Sequence, residues 1–298
     1  MNKFILQLIG ILLTGSVTAT SVQAPVTTTL PPLENSGTER LQEKEFSPLQ
    51  DAEAFAARLE TMDIQLHPGT EERADSSPTP FAETQCKAIV YKTLQALPKT
   101  HTQYLNHLTL FFTPDGSRGQ GSSNVLILRC LNITNSELTG VAVHEMGHIT
   151  DLGFLQSTQF AQETEFLDFE DPVYADDPSA TFYRITWLSS TERTPDSSPL
   201  DFVTGYAMED PFEDFAESYA FYVLQGPSFR YLARTNTRLQ QKYDFMKNSV
   251  FNGQEFGRQE IATNGLFDLY RNYDSTILEY DLNEFWARGG AEIAGRTF

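Results

Sequence analysis

Apolar residues along the chain fall into blocks of different period, and each block predicts an element. Between 134 and 153, Leu138, Val141, Ala142, Val143, Met146, Ile149 and Leu152 surround a helical axis. A helix apolar nearly all round is a buried helix. Thr134-Asn-Ser-Glu137 fits a capping box at its start, and Gly153 can close its far end. Upstream, LTLFF (108–112) and NVLILRC (124–130) read as strands, with TPDGSRGQGSS (113–123) as the Gly- and Ser-rich loop between them. A helical pattern over 83–96 is stopped by Pro98. Downstream, Asp210 and Pro211 open another helix as cap and first position, with Phe212, Phe215, Ala216, Tyr219 and Val223 as its buried stripe. A small sheet preceding a buried helix, with further helices after it, predicts a helix-rich α+β domain.

The N-terminal part reads differently. Residues 1–24 carry a lone Lys3, an apolar run from Phe4 to Leu13, and small or polar residues ending in Val22-Gln23-Ala24. This is the three-part pattern of a secretory signal peptide, with cleavage expected after Ala24. The run is short for a membrane anchor, the alternative reading. No second long apolar run follows, so no integral membrane segment is expected after signal removal. Residues 25–80 are rich in Thr, Pro and Glu and read as a mobile segment. One short helix is expected there, at Leu49–Ile64, and HPGTEERADSSPTP (67–80) reads as a linker. The compact domain is expected over 81–298.

Charge narrows the partners. The chain has 21 basic and 40 acidic residues, a net charge of −19. Removal of the signal takes away Lys3 and no acid, leaving 20 against 40, about −20. Nucleic acid and anionic membrane surfaces are poor partners for such a surface. The two cysteines, Cys86 and Cys130, both fall in the expected domain. In an exported chain, secreted or periplasmic, they are expected to form a disulfide.

VAVHEMGHIT (141–150) places costly polar groups on the buried helix. His144 and His148 are four apart and lie one above the other, so both imidazoles can reach one metal ion. Glu145 points about 100° away, poorly placed to ligate but well placed to reach a water held by the metal. This is the HExxH arrangement, two ligands and one general base on a single turn. Gly147 leaves room for close packing under the site. His67, His101 and His107 lie in or near polar segments and read as surface or satisfied histidines.

A catalytic zinc site wants a third protein ligand and an open position. A histidine six residues past the pair would mark one large class of zinc proteases, but position 154 is Phe. Asp151 shares the histidine face; geometry disfavours a third ligand from the same rigid helix, so a structural role or one supporting the ligating residues is expected instead. Glu213 and Glu217 stand one turn apart on the 210–223 helix. One would ligate and the other orient a ligating histidine. The bland alternative is that Glu213 completes a capping box with Asp210 and Glu217 is solvated.

HExxH followed by a separate helix bearing ExxxE resembles the gluzincin metallopeptidases. YAMEDPFEDFAESYA is closest to the anthrax lethal factor catalytic domain and related secreted zinc peptidases, with Tyr206 seven residues before Glu213, the Glu213-Asp-Phe-Ala-Glu217 core, and Asp151 three residues after His148. The resemblance implies a zincin-like core, Zn2+ held by His144, His148 and Glu213, Glu145 as base, and Tyr206 steadying the oxyanion. It implies a protein or peptide substrate. It covers the motif helices and the helical stretch to about Val250, and leaves 154–204 and the region after 252 without a counterpart. Two rivals stand beside this expectation: a non-catalytic protein that keeps zinc as a structural clip, and a zinc amidase acting on cell-wall peptides.

Overall fold

Strands form where Val, Ile, Leu and Phe alternate over a few residues, and helices where apolar residues recur every three or four. The computed structural model describes residues 57, 65–68, 80–112, 116–158, 160–257 and 273–293. The signal reading of 1–24 and nearly all of the mobile segment with its short helix lie outside them. In chain order the elements are β1 (Gln65–Pro68), α1 (Pro80–Gln95), α2 (Lys99–Thr102), β2 (His107–Phe111), β3 (Gly119–Gly121), β4 (Val125–Arg129) and α3 (Asn135–Ile149). After α3 come a β5–β6 hairpin (Glu163–Asp168, Asp171–Tyr174) and α4 (Pro178–Tyr183). The helices α5 (Pro211–Leu224), α6 (Gly226–Thr235), α7 (Thr237–Phe245) and α8 (Leu282–Ile293) complete the chain. The class is α+β and helix-rich, as the pattern predicts. Among the described residues no helix is long and apolar enough to cross a membrane.

The main sheet runs β1-β2-β4-β3, with β1, β2 and β4 parallel and β3 antiparallel at the edge against β4. Leu108 and Leu110 of β2 and Leu126 and Leu128 of β4 are buried, the alternation expected of one covered face. Two of these strands lie outside the sequence reading. β1 falls partly in the expected linker, yet Gln65–Pro68 pairs with 107–110. The ordered sheet therefore draws on residues before 81. β3 falls inside the expected Gly-rich loop, where Gly119-Gln-Gly121 pairs with 126–128.

Every residue of α3 from Leu138 to Ile149 is buried, so it is the central helix of the core. α1 packs on one side of it and α5 on another. Gly153 does not end the helix in a left-handed turn. The helix runs on as a π-helical turn over Thr150–Phe154. Gly153 is instead required by contact, since a Cβ there would stand 2.4 Å from the Ser123 carbonyl oxygen. The expected disulfide is present, joining Cys86 of α1 to Cys130 at the exit of β4 across a sequence separation of 44. Closing a loop of that length stabilises by about 4 kcal/mol in the chain-entropy picture.

His101 is a satisfied histidine, not a surface one. It is 1% exposed, and its ring bonds the Tyr219 hydroxyl at 2.9 Å and the Val250 carbonyl at 3.0 Å. Burial pulls its pKa from 6.5 down to about 4, against a small opposing effect of the Val250 bond. Below pH 6.5 the unfolded ring takes a proton that the folded ring refuses, so this group's contribution to stability falls as pH drops towards 4. The loss amounts to about 3 kcal/mol. We expect unfolding free energies of the natural chain and of His101→Gln to diverge across that window, the natural chain losing more. A pH-independent difference would refute the assignment.

Candidate metal centre

The site is built on the ends of two capped helices. α3 begins at Thr134, whose Oγ1 accepts from the Glu137 backbone N–H at 3.1 Å. The Glu137 side chain turns to Arg118 Nη1, at 3.2 Å. α5 begins at Asp210, which accepts from the N–H groups of Phe212 and Glu213 at 2.9 and 2.8 Å. Asp210 thus satisfies the first turn of α5 by itself, and the Glu213 side chain points elsewhere.

The two helices cross at Gly147 and Ala216. A Cβ on Gly147 would lie 2.8 Å from Ala216 Cα and 3.2 Å from the Ala216 oxygen, so the backbones are in contact. On α3 the residues three before and one after the crossing are His144 and His148. On α5 the same offsets give Glu213 and Glu217. Glu213 Oε2 lies 3.1 Å from His144 Nε2 and 3.5 Å from His148 Nε2. The three ligand atoms all fall within 4.8 Å of one another, a group that could hold a metal ion.

Glu217 takes the place behind the first histidine. It is fully buried, and its Oε1 lies 2.7 Å from His144 Nδ1. A carboxylate accepts only, so His144 Nδ1 carries a proton, and Nε2 is the ring nitrogen turned towards Glu213. Four donors converge on Glu217: His144 Nδ1, Thr204 Oγ1 at 2.5 Å, and the Ser275 N–H and Oγ at 2.7 and 2.8 Å. This excludes the reading of Glu217 as a solvated helix carboxylate.

The donor set fits a cation. Glu213 Oε2 is buried without a hydrogen bond, and the Nε2 atoms of two imidazoles face it at 3.1 and 3.5 Å. Atoms of that kind repel unless something positive stands between them. Without metal, protons answer the same demand. Burial opposes a charged His144 ring, but the neighbouring Glu213 and Glu217 carboxylates outweigh it and hold the imidazole well above its ordinary range. Burial likewise opposes a charged His148, and Glu213 reverses the balance. Burial would raise Glu213, but both histidines hold it well below the usual carboxylate range.

Glu145 lies in the same cavity of about 750 Å³. Burial raises its pKa, which the two histidines partly offset. The edge strand β3 passes directly over it. A Cβ on Gly119 would meet Glu145 Oε1 at 2.4 Å, and one on Gly121 the Glu145 backbone oxygen at 2.5 Å. The Gly121 N–H bonds the Glu145 carboxylate. Tyr206, on a 3₁₀ turn over Tyr206–Met208, donates to Glu213 Oε1 at 3.0 Å, and its ring centroid is 5.8 Å from that of His144. Burial and the neighbouring Glu213 raise its pKa, so the phenol keeps its proton. Asp151 is buried in the π-helical turn that follows α3. It accepts from the Tyr183 hydroxyl at 2.7 Å, tying the end of α3 to α4, and burial lifts its pKa to about 8.

The structure therefore brings His144, Glu145, His148, Tyr206, Glu213 and Glu217 to one cavity. Searches against protein-family models, curated proteins and solved structures found no match to this chain. Sequence reasoning misses Thr204 and Ser275, whose hydroxyls carry no local pattern. It also misses Gly119 and Gly121, for which two glycines alternating after Arg118 were a usable signal of close backbone approach.

Removing ligands should sort these roles. Glu213→Ala is expected to abolish tight metal uptake, and Glu217→Ala to weaken it about 10–100-fold. A chain in which Glu217→Ala loses metal and Glu213→Ala keeps it would reverse the assignment. Gly147→Ala forces a methyl group into the helix crossing and should cost about 1–3 kcal/mol of stability while weakening metal uptake. Chelator competition and thermal unfolding measure both, and undiminished affinity in Gly147→Ala would refute the crossing as the determinant of ligand spacing.

Proposed function

We propose that this chain is a secreted or periplasmic zinc peptidase with a zincin-like core of the gluzincin kind, similar to the anthrax lethal factor catalytic domain. One observation carries the reading. His144 Nε2, His148 Nε2 and Glu213 Oε2 converge beside Glu145 in an open cavity. Two imidazoles and a carboxylate suit zinc. Structural zinc sites are closed by a fourth protein ligand, and the described residues supply three, which favours catalysis over a structural clip. The disulfide fits an oxidising compartment.

When bound, zinc would polarise the scissile carbonyl and acidify a water. Glu145, its pKa raised by burial, would take the water proton and pass it to the leaving amine. Tyr206, held protonated, would turn its hydroxyl from Glu213 to the developing oxyanion. Glu217 keeps the His144 proton on Nδ1 and the ring in place throughout.

Peptide-library hydrolysis by zinc-loaded protein tests this. Glu145→Gln should keep zinc and lose at least about a hundredfold in rate. Tyr206→Phe should keep zinc and raise the barrier by about 3 kcal/mol. Cleavage by Glu145→Gln at the natural rate would overturn the peptidase mechanism. Hydrolysis of cell-wall peptides alone would favour the amidase.

A further inference from the structure

The segment 273–278 meets Glu217, Tyr206 and Arg118, three residues that line the cavity. The Ser275 N–H and Oγ both donate to Glu217, at 2.7 and 2.8 Å. The Tyr273 carbonyl accepts from the Tyr206 backbone N–H at 2.5 Å, and the two tyrosine rings lie 5.6 Å apart. Asp274 Oδ2 accepts from Arg118 Nη2 at 2.7 Å, and Thr276 Oγ1 from Arg118 Nη1 at 2.7 Å, just before the edge strand that covers Glu145. The segment is seated by backbone contact on α3, where a Cβ on Gly140 would meet Thr276 Cα at 3.0 Å. None of this follows from the two motif helices, which already hold each other through Gly147 and Ala216.

We infer that Ser275 is a positioning residue of the metal centre: from a strap far downstream of the motif helices it fixes the Glu217 carboxylate, and through that carboxylate the His144 ring. The inference rests on the reading of His144, His148 and Glu213 as metal ligands. The argument is one of orientation. Glu217 and His144 meet at a single bond, from Oε1 to Nδ1. A carboxylate on a flexible stem holds such a geometry only when its other lone pairs are engaged. Thr204 engages Oε2 alone. Ser275 supplies the remaining two donors, one to each oxygen. It is 1% exposed and Glu217 is fully buried, so water is no substitute for them.

The test is zinc affinity of the full chain by chelator competition, with unfolding of the metal-free protein followed alongside. Ser275→Ala keeps the N–H bond and loses the hydroxyl. We expect about tenfold weaker zinc binding, an altered visible spectrum of the cobalt-loaded protein, and little change in metal-free unfolding. Ser275→Thr keeps the hydroxyl and should restore natural affinity. In a Glu217→Gln background, Ser275→Ala should add no more than about a twofold further change, because the two residues act in series. Full additivity of the two substitutions, or equal zinc affinity of Ser275→Ala and the natural chain, would overturn the strap's role and leave the metal centre standing. A natural chain that takes up no zinc would overturn the metal reading, and the strap's role with it.

Discussion

The contact between Gly147 and Ala216 is what the rest of the site depends on. Helices separated by ordinary side chains sit 8–10 Å apart. Here one helix has no side chain at the crossing and the other a methyl group, and the backbones touch. Each helix then offers the residues three before and one after that point to a common space. The sequences HEMGH and EDFAE place histidines at those offsets on one helix and glutamates on the other. Three histidine–carboxylate contacts follow from one close approach: Glu213 against both histidines, and Glu217 against His144 alone.

The far side of α5 is held as firmly as the near side. Asp214, next to Glu213, is fully buried and paired with an equally buried Lys242. Asp214 also accepts from Thr186 Oγ1 and Trp187 Nε1, while Lys242 donates to the Asp201 carbonyl and lies 4.1 Å from the centre of the Phe202 ring. Breaking a buried pair by deleting one partner costs about 3–5 kcal/mol. Residues 186–202, which the motifs leave without a counterpart, are thus anchored to the back of the helix that carries Glu213 and Glu217.

What could be read from the sequence is what local chemistry dictates. The start of α3 at Thr134, the Asp210-Pro211 opening of α5, the strands at 107–111 and 125–129, and the Cys86–Cys130 bridge each rest on residues close in sequence or few in number. The ligand set was legible because HExxH and ExxxE are helix-period patterns. The strands at 65–68 and 119–121 were not, because a four-residue pairing and a glycine-lined edge carry no alternation of apolar residues. The Asp151–Tyr183 bond was not legible because Tyr183 lies on an element of six residues with no motif of its own. Ser275 and Thr204 were invisible because a single hydroxyl acquires meaning only from a carboxylate that the fold brings to it.

The wide sequence spacing of the Glu217 donors has a consequence for how the molecule is made. Chains are synthesised from the N-terminus, so His144 and His148 emerge first, then Thr204, Glu213 and Glu217, and Ser275 only much later. Until that serine arrives, Glu217 lacks two of the donors that hold it against His144. A growing chain can therefore present His144, His148 and Glu213 without presenting the finished site. The finished arrangement belongs to the end of biosynthesis, after the downstream chain has folded back across α3.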